Sequence, residues 1–502
     1  MAKRKSSNSR RKQKAESQNT DATNFEEVEG GLDADLNEAF TGPQTTGRML
    51  AVTLEKPTSA ARKTLLSQVA GLSGLGKSKD AVCSSADFGD DGIDEAQAAD
   101  AEVIMLEDLG IALLNGDVEQ NQMLSTTAAA PGDNVILEPE YINYALGFAD
   151  AMDVGSAEGT AGLDDPGYDE INSGGMDLDT MRTMIRLLSR MVESADAGAA
   201  ANGSPAAAST CFRDSAQLTW GLLATGSGSS HATGAGIRVA VLDSGMDLGH
   251  PDYRNRAIRH AVFQTSAVDP DINDVNGHGT HCIGTACGPQ RSHFGPRYGV
   301  APEADIYAGK VLAQVPGRNT ASGGDFAILR GIQWALSNGC PIISMSLGSA
   351  ATGSFSQAYE QAAKRALGMG SLIIAATGND SARPGHVAPV GRPANCPSIL
   401  GVAAVDNCLK VASFSNGRKF SHAGSEVNIS GPGVHVISSV PRHRGNVGRM
   451  SGTSMATPHV AGIAALVAQQ TNLRGVPLYK ELRRRARRLG HMNDYGNGLV
   501  HF

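Results

Sequence analysis

From about Cys211 to the end of the chain, apolar runs of strand length alternate with segments of helical period. The runs "GIRVAVLD", "ADIYAGKVL", "PIISMSLG", "SLIIAATG" and "SILGVAAV" are almost unbroken in apolar residues. Between them, "GDFAILRGIQWALSN" and "SQAYEQAAKRAL" repeat at helical spacing. Strands without polar alternation are covered on both faces, and helices between strands are the crossovers that parallel pairing needs. The pattern therefore predicts an α/β fold, a parallel β-sheet flanked by helices. In such sheets functional groups collect beyond the carboxyl ends of the strands.

The rest of the chain divides by composition. Residues 1–47 are polar, with the basic run "KRKSSNSRRKQK" at Lys3–Lys14, and predict a disordered tail. Residues 48–146 predict a small α+β N-terminal domain. "RMLAVTLE" reads as a strand, and "SAARKTLLSQVAGL" as a helix with Leu65, Leu66, Val69 and Leu72 on one face. "AEVIMLEDLGIALLNG" and "NVILEPEYINYAL" supply further strands. Residues 147–215 read as a linker rich in Gly, Ala, Asp and Ser. An amphipathic helix over about 177–195 interrupts it, with Met181, Met184, Ile185, Leu188, Met191 and Val192 at helical spacing. Residues 216–502 form the regular α/β region.

Charge and cysteine usage limit the function classes. The 502 residues carry 43 basic and 51 acidic side chains, net −8, which argues against nucleic acid as a partner. No apolar run is long enough for a membrane span, and no secretory signal is visible. Cys83, Cys211, Cys282, Cys287, Cys340, Cys396 and Cys408 are scattered, odd in number and without metal-ligand spacing. Reduced thiols are the default reading, with a single disulfide left open. Together these features predict a cytoplasmic protein; the alternative is export by a non-classical route.

Three segments carry chemistry. Asp243 ends "IRVAVLD" and is followed by Ser244 and Gly245. His278 stands between glycines in "NGHGTHCIGTACG". Ser454 lies in "SGTSMATPHVAG", directly before the apolar "IAALVAQQ". Taken singly, Asp243 reads as a helix cap or other structural aspartate, as most such residues are, and a lone histidine is more often structural than catalytic. Taken together, they supply what a serine hydroxyl needs to become a nucleophile: a base within reach and an acid that orients it. Ser454 at a helix start also has free backbone N–H groups suited to a developing oxyanion.

"VAVLDSGMDLGHPDY", "NGHGTHCIGT" and "SGTSMATPHVAG" resemble the three signature segments of the subtilisin-like serine proteases, in that family's order, over roughly Leu218–Phe502. The resemblance implies a serine endopeptidase working through an acyl-enzyme. Ser454 would be the nucleophile, His278 the general base, and Asp243 the residue orienting the imidazole. "LIIAATGND" resembles the family's oxyanion strand and places Asn379 beside the Ser454 N–H; on sequence alone Asn379 reads as a turn residue. "SMSLGS" and "ASGG" resemble the two substrate edges and give Ser346, Leu347 and Gly348 on one side, and Ser322, Gly323 and Gly324 on the other. A polypeptide substrate would add to these edges as a strand. Asp380 and the loop "SARPGHVAPVGRPAN" are expected at the first specificity pocket.

The same resemblance reads 48–146 as an inhibitory propeptide, an intramolecular partner of the enzyme in a zymogen, cut near Leu146. Cys282 just after the histidine motif is similar to the proteinase K-like branch and reads as a buried thiol, not a nucleophile. Asp252 matches a calcium-ligand position, but "GPQRSHFGPRYGVAP" lacks the family's asparagine-rich loop, so no metal and no cofactor are assigned. A peptide-binding relative without catalysis is the competing reading. Such a relative is expected to have lost one of Asp243, His278, Asn379 or Ser454, and all four are present.

Overall fold

Seven parallel strands build the central sheet, in the spatial order Ile429–Pro432, Leu400–Val405, Leu372–Ala376, Ile342–Met345, Arg238–Asp243, Asp305–Lys310, Ile258–Val262. The architecture comes from a computed structural model that describes residues 43–55, 58–78, 81–85, 101–126, 134–149, 211–351, 353–420 and 423–502. The expected α/β class with a helix-flanked parallel sheet is what these residues form. Alternate side chains of each strand enter opposite cores. Val239 and Val241 pack with Ile283, Met455 and Val460, on the side of helices His278–Cys287 and Thr453–Thr471. Ala240 and Leu242 pack with Ile328, Ile332 and Ala362, on the side of helices Asp325–Ser337 and Gln357–Gly368. Burial on both faces is why these strands are apolar throughout.

The chain order reverses at the middle of the sheet. Arg238–Asp243 comes first in sequence, later strands are added on one side, and Ile342–Met345 then pairs on its other side. The crevice beyond the carboxyl ends of these two neighbouring strands is where open α/β sheets hold their sites. Asp243 ends one of them and Ser346 follows the other.

Ahead of this region, Thr45–Thr53 pairs antiparallel with Ile111–Leu114 and with the long strand Val135–Ala145. The expected tail over 1–47 lies outside the described residues up to 42, and its last part is strand from Thr45, not tail. Met49 and Ala51 face Leu65 and Val69 of helix Ser59–Ser73. Leu50 and Val52 face the other way, into the core shared with Phe326 and Ala358. The Val135–Ala145 strand joins the two parts, because its far half pairs with Ala321–Gly324 and Leu347–Gly348. The helix expected over about 177–195 lies outside the described residues.

The cysteine default does not hold throughout: Cys211 and Cys408 are joined in a disulfide. Cys83, Cys282, Cys287, Cys340 and Cys396 are not disulfide-bonded. The scattered spacing hid the bond because its partners are 197 residues apart in sequence. Among the described residues, no helix is long and apolar enough to cross a membrane.

Candidate active site

Asp243 is fixed where its strand ends. Its Oδ1 accepts the Ser244 backbone N–H at 2.7 Å and His278 Nδ1 at 2.8 Å, and all three residues are buried. The histidine is delivered by the start of helix His278–Cys287. Asp274 holds that start, accepting the N–H of Gly277 at 2.8 Å and of Thr280 at 2.7 Å, as an N-terminal cap does. Gly277 turns the chain at φ +94, and a Cβ at Gly279 would fall 2.3 Å from the Gly245 carbonyl oxygen. The glycines around the histidine thus let the helix press against the end of the Asp243 strand. Asp274 was missed in the sequence; its position four residues before His278 was the available signal.

Burial disfavours the charged His278 ring, but the Asp243 carboxylate outweighs it and holds the imidazole well above its ordinary pKa. Cys282 lies 3.8 Å from His278 Nδ1, and burial pushes its thiol up to about 11. A thiol that titrates there is a poor nucleophile at neutral pH.

Ser454 sits in the first turn of helix Thr453–Thr471. Its Oγ donates to the Ser346 carbonyl at 3.0 Å, and Ser346 Oγ donates back to the Ser454 carbonyl at 2.8 Å. The structure therefore joins Asp243 to His278, while the Ser454 hydroxyl is bonded to Ser346 instead of the imidazole. His278 Nε2 is buried without a hydrogen-bond partner.

The backbone of Leu146 and Gly147 lies between these groups. A Cβ at Gly147 would fall 2.9 Å from His278 Nε2. Asn379 Nδ2 donates to the Leu146 carbonyl at 2.5 Å. The orientation of that amide is set from behind, since Asn379 Oδ1 accepts both the N–H and the hydroxyl of Thr453, each at 2.9 Å. Gly452 has φ +153, and a Cβ there would meet the same Leu146 carbonyl at 2.5 Å, so only glycine lets that oxygen approach.

The predicted edges hold the residues before this bond. Ser322, Gly323 and Gly324 pair with Tyr144, Asn143 and Ile142, and Leu347 and Gly348 pair with Ala145 and Tyr144. Leu146 N donates to the Ser346 carbonyl at 3.2 Å. Beyond the bond, Phe148 and Ala149 pair with Ser451 and Met450. The chain thus runs through the cleft as a strand on both sides of Leu146–Gly147. Asp380, expected at the first specificity pocket, is held by Asn416, which accepts its N–H and donates to its carboxylate, each at 2.8 Å.

Asp252 does not suit a cation. Its two oxygens accept Ser292 Oγ at 2.8 Å, Tyr298 Oη at 2.6 Å, and His293 through both N–H and Nδ1 at 2.8 Å. A calcium ion needs a shell of oxygen acceptors, and here donors occupy the carboxylate.

The profile described as "Subtilase family" matches residues 234–498, which include Asp243, His278, Asn379 and Ser454.

The chain belongs to the subtilase family.

Among its relatives are Subtilisin E of Bacillus subtilis (strain 168), 40% identical over 269 residues, and Subtilisin of Bacillus pumilus, also 40% identical over 269 residues. The match covers 53% of this subtilase in each case, 65% of the first relative and 90% of the second. Thermostable alkaline protease of Halalkalibacterium halodurans is 41% identical over 288 residues, covering 57% of this chain and 72% of that protein. The chain therefore spans 65% of the length of Subtilisin E. The solved structure of Sphericase is 31% identical, with a TM-score of 0.49 over 58% of this chain and 99% of that one.

These relatives correct the expected compartment. The subtilisins and alkaline proteases that match are secreted extracellular enzymes, which overturns the cytoplasmic reading. The Cys211–Cys408 disulfide points the same way, because such bonds persist in oxidising surroundings.

Proposed function

We propose that this subtilase is a serine endopeptidase that attacks peptide bonds through Ser454, and that its first substrate is its own Leu146–Gly147 bond. The observation that carries the reading is the Leu146 carbonyl, held at 2.5 Å by Asn379 Nδ2 while the adjoining Gly147 lies against His278 Nε2. A scissile bond needs that arrangement: an oxyanion donor on one side and a proton acceptor on the other.

In the reaction, Ser454 turns its Oγ from the Ser346 carbonyl to His278 Nε2 and attacks the Leu146 carbonyl carbon. The imidazole takes the hydroxyl proton, and Asp243 holds the ring in the tautomer that leaves Nε2 free and stabilises the imidazolium. The negative oxygen is met by Asn379 Nδ2 and the Ser454 N–H. Collapse breaks the Leu146–Gly147 bond as His278 protonates the Gly147 nitrogen. Water, activated by the same imidazole, then releases Leu146 from the serine ester. Other polypeptides would enter as extended strands between Ser322–Gly324 and Ser346–Gly348.

The segment before Leu146 is suited to act as an intramolecular inhibitor that outlasts the cut. Its pairing with both edges does not depend on the broken bond. Glu138 reinforces it by accepting Ser356 Oγ at 2.5 Å, Gln357 N at 2.9 Å and Ala358 N at 3.1 Å at the start of helix Gln357–Gly368. A carboxylate at a helix N-terminus satisfies free N–H groups and meets the positive end of the helix dipole.

The test is Ser454→Ala in the full chain. The wild type should cut itself to leave Gly147 as a new amino terminus, and a fluorophosphonate should label Ser454. The variant should keep its fold and remain whole. Self-cleavage by the variant would reject Ser454 as the nucleophile, and a wild-type chain that stays whole and takes no label would favour a peptide-holding protein, which the Ser454–Ser346 hydrogen bond would then suit.

A further inference from the structure

Buried charge is unusual in a groove that binds peptides by their backbone, and this groove contains a buried pair. Asp325 follows the edge Ala321–Gly324 directly, as the first residue of its helix. Arg392 is bridged to Ser349, which follows the opposite edge Leu347–Gly348. Arg392 Nη2 donates to Asp325 Oδ2 at 3.2 Å, and both side chains are buried. The pair closes the groove from its two sides, upstream of Leu146.

The strand in the groove completes the pair. Asn143, the fourth residue before the Leu146–Gly147 bond, is fully buried and donates from Nδ2 to Asp325 Oδ1 at 2.7 Å. The amide must present its nitrogen there, because a carboxylate oxygen only accepts. Asn143 Oδ1 has no partner, so the donor is what the site reads. Tyr141, the sixth residue before the bond, donates its N–H to Asp325 Oδ2 at 2.8 Å, and the Arg392 guanidinium lies 3.9 Å from the centre of its ring.

We propose that Asp325 and Arg392 are specificity-determining residues that select a hydrogen-bond donor such as asparagine four residues before the scissile bond and an aromatic ring six residues before it. The proposal rests on the catalytic reading above. An apolar side chain at the fourth position leaves a buried carboxylate oxygen without its donor, and an acidic one sets two carboxylates against each other. Both cost more than a small change of shape does, because unpaired polar groups in a dry site are expensive.

The first measurement is self-cleavage of the full chain. Asn143→Asp should slow the cut after Leu146 by roughly 10- to 100-fold, and adding Asp325→Asn to it should recover most of the rate. The second needs no variant to fold. Self-processed wild-type protein, separated from its cleaved N-terminal segment, is given Tyr-Ile-Asn-Tyr-Ala-Leu carrying a chromogenic amide, and the same peptide with Asp or Leu for Asn, or with Ala for the first Tyr. The Asn peptide should have the highest kcat/KM, with Leu lower and Asp lowest, and loss of the first Tyr should cost about 3- to 10-fold. Cleavage of all four within about 3-fold of one another, or an Asn143→Asp chain that cuts at the wild-type rate, overturns the specificity proposal while leaving the catalytic one standing. If the wild-type chain cuts neither itself nor any peptide, the catalytic reading falls and this one with it.

Discussion

Asn379 and Thr453 are locked together: the amide oxygen of Asn379 accepts both the backbone N–H and the hydroxyl of Thr453, which leaves its nitrogen facing the Leu146 carbonyl. One residue supplies the donor and the other prevents it from flipping. Asn379→Ala is therefore expected to lower kcat by about 10²- to 10³-fold with little change in KM, the magnitude known for loss of the oxyanion-hole asparagine in a subtilisin. Thr453→Val keeps the N–H contact and loses the hydroxyl, so its loss should be smaller, on the order of 10-fold. Single-turnover kinetics would check both. A KM effect equal to the kcat effect would mean that Asn379 binds the ground state only.

The raised pKa of His278 sets the sign of a pH dependence. The imidazole must be neutral to accept the Ser454 proton, and the neighbouring Asp243 carboxylate favours the protonated ring. Self-cleavage should therefore speed up as pH rises through a midpoint above 6.5. Asp243→Asn removes the cause, so the midpoint should move down while the rate drops by up to about 10⁴-fold. A midpoint that does not move in the variant would contradict the assignment.

Glu138 gives a separate handle on inhibition. Glu138→Gln keeps the shape but weakens three hydrogen bonds at the start of helix Gln357–Gly368. The released segment should then inhibit the processed enzyme more weakly, by roughly 5- to 30-fold in inhibition constant. Titration of processed enzyme with wild-type and variant segment would read this, and equal constants would remove Glu138 from the inhibitory contact.

Two buried histidines should make the fold acid-labile. Burial lowers His281 to about 3 and His459 to about 4. Below about pH 6.5 the unfolded chain takes up protons that these folded rings refuse, so stability present above 6.5 is lost as pH falls toward 4. Each histidine contributes a slope of about 1.4 kcal/mol per pH unit in that window. His278 works in the opposite sense: its stabilisation is present below 6.5 and is lost as pH rises through its own higher pKa. The His278 contribution is constant below 6.5, so the two lowered rings set the slope there and Tm should fall between pH 6.5 and 4. His459→Asn keeps a donor for the Met455 carbonyl and should flatten the fall. An unchanged profile would show that other groups control it.

The fold class was legible because burial on both faces writes itself into consecutive residues. Val239 to Leu242 are all apolar, since odd and even positions each enter a core. The edge strand Ile258–Val262 escaped notice for the converse reason: "IRHAV" is only partly buried, and its Arg259 and His260 are exposed. The site segments were legible because each is local, a functional residue set among glycines and helix-start residues that its backbone requires.

What the sequence by itself determined is thus which residues form strands, which form helices, and which three short segments carry an acid, an imidazole and a hydroxyl. Only the tertiary structure decided what those segments meet. It placed Leu146 and Gly147 between Asn379 and His278, bonded Ser454 to Ser346, joined Cys211 to Cys408, and set Asp325 against Arg392 around Asn143. The physical reason is that side-chain period records which face of an element is buried, not which distant segment buries it. Partners brought together by sheet pairing and crossover topology leave no local mark on the chain.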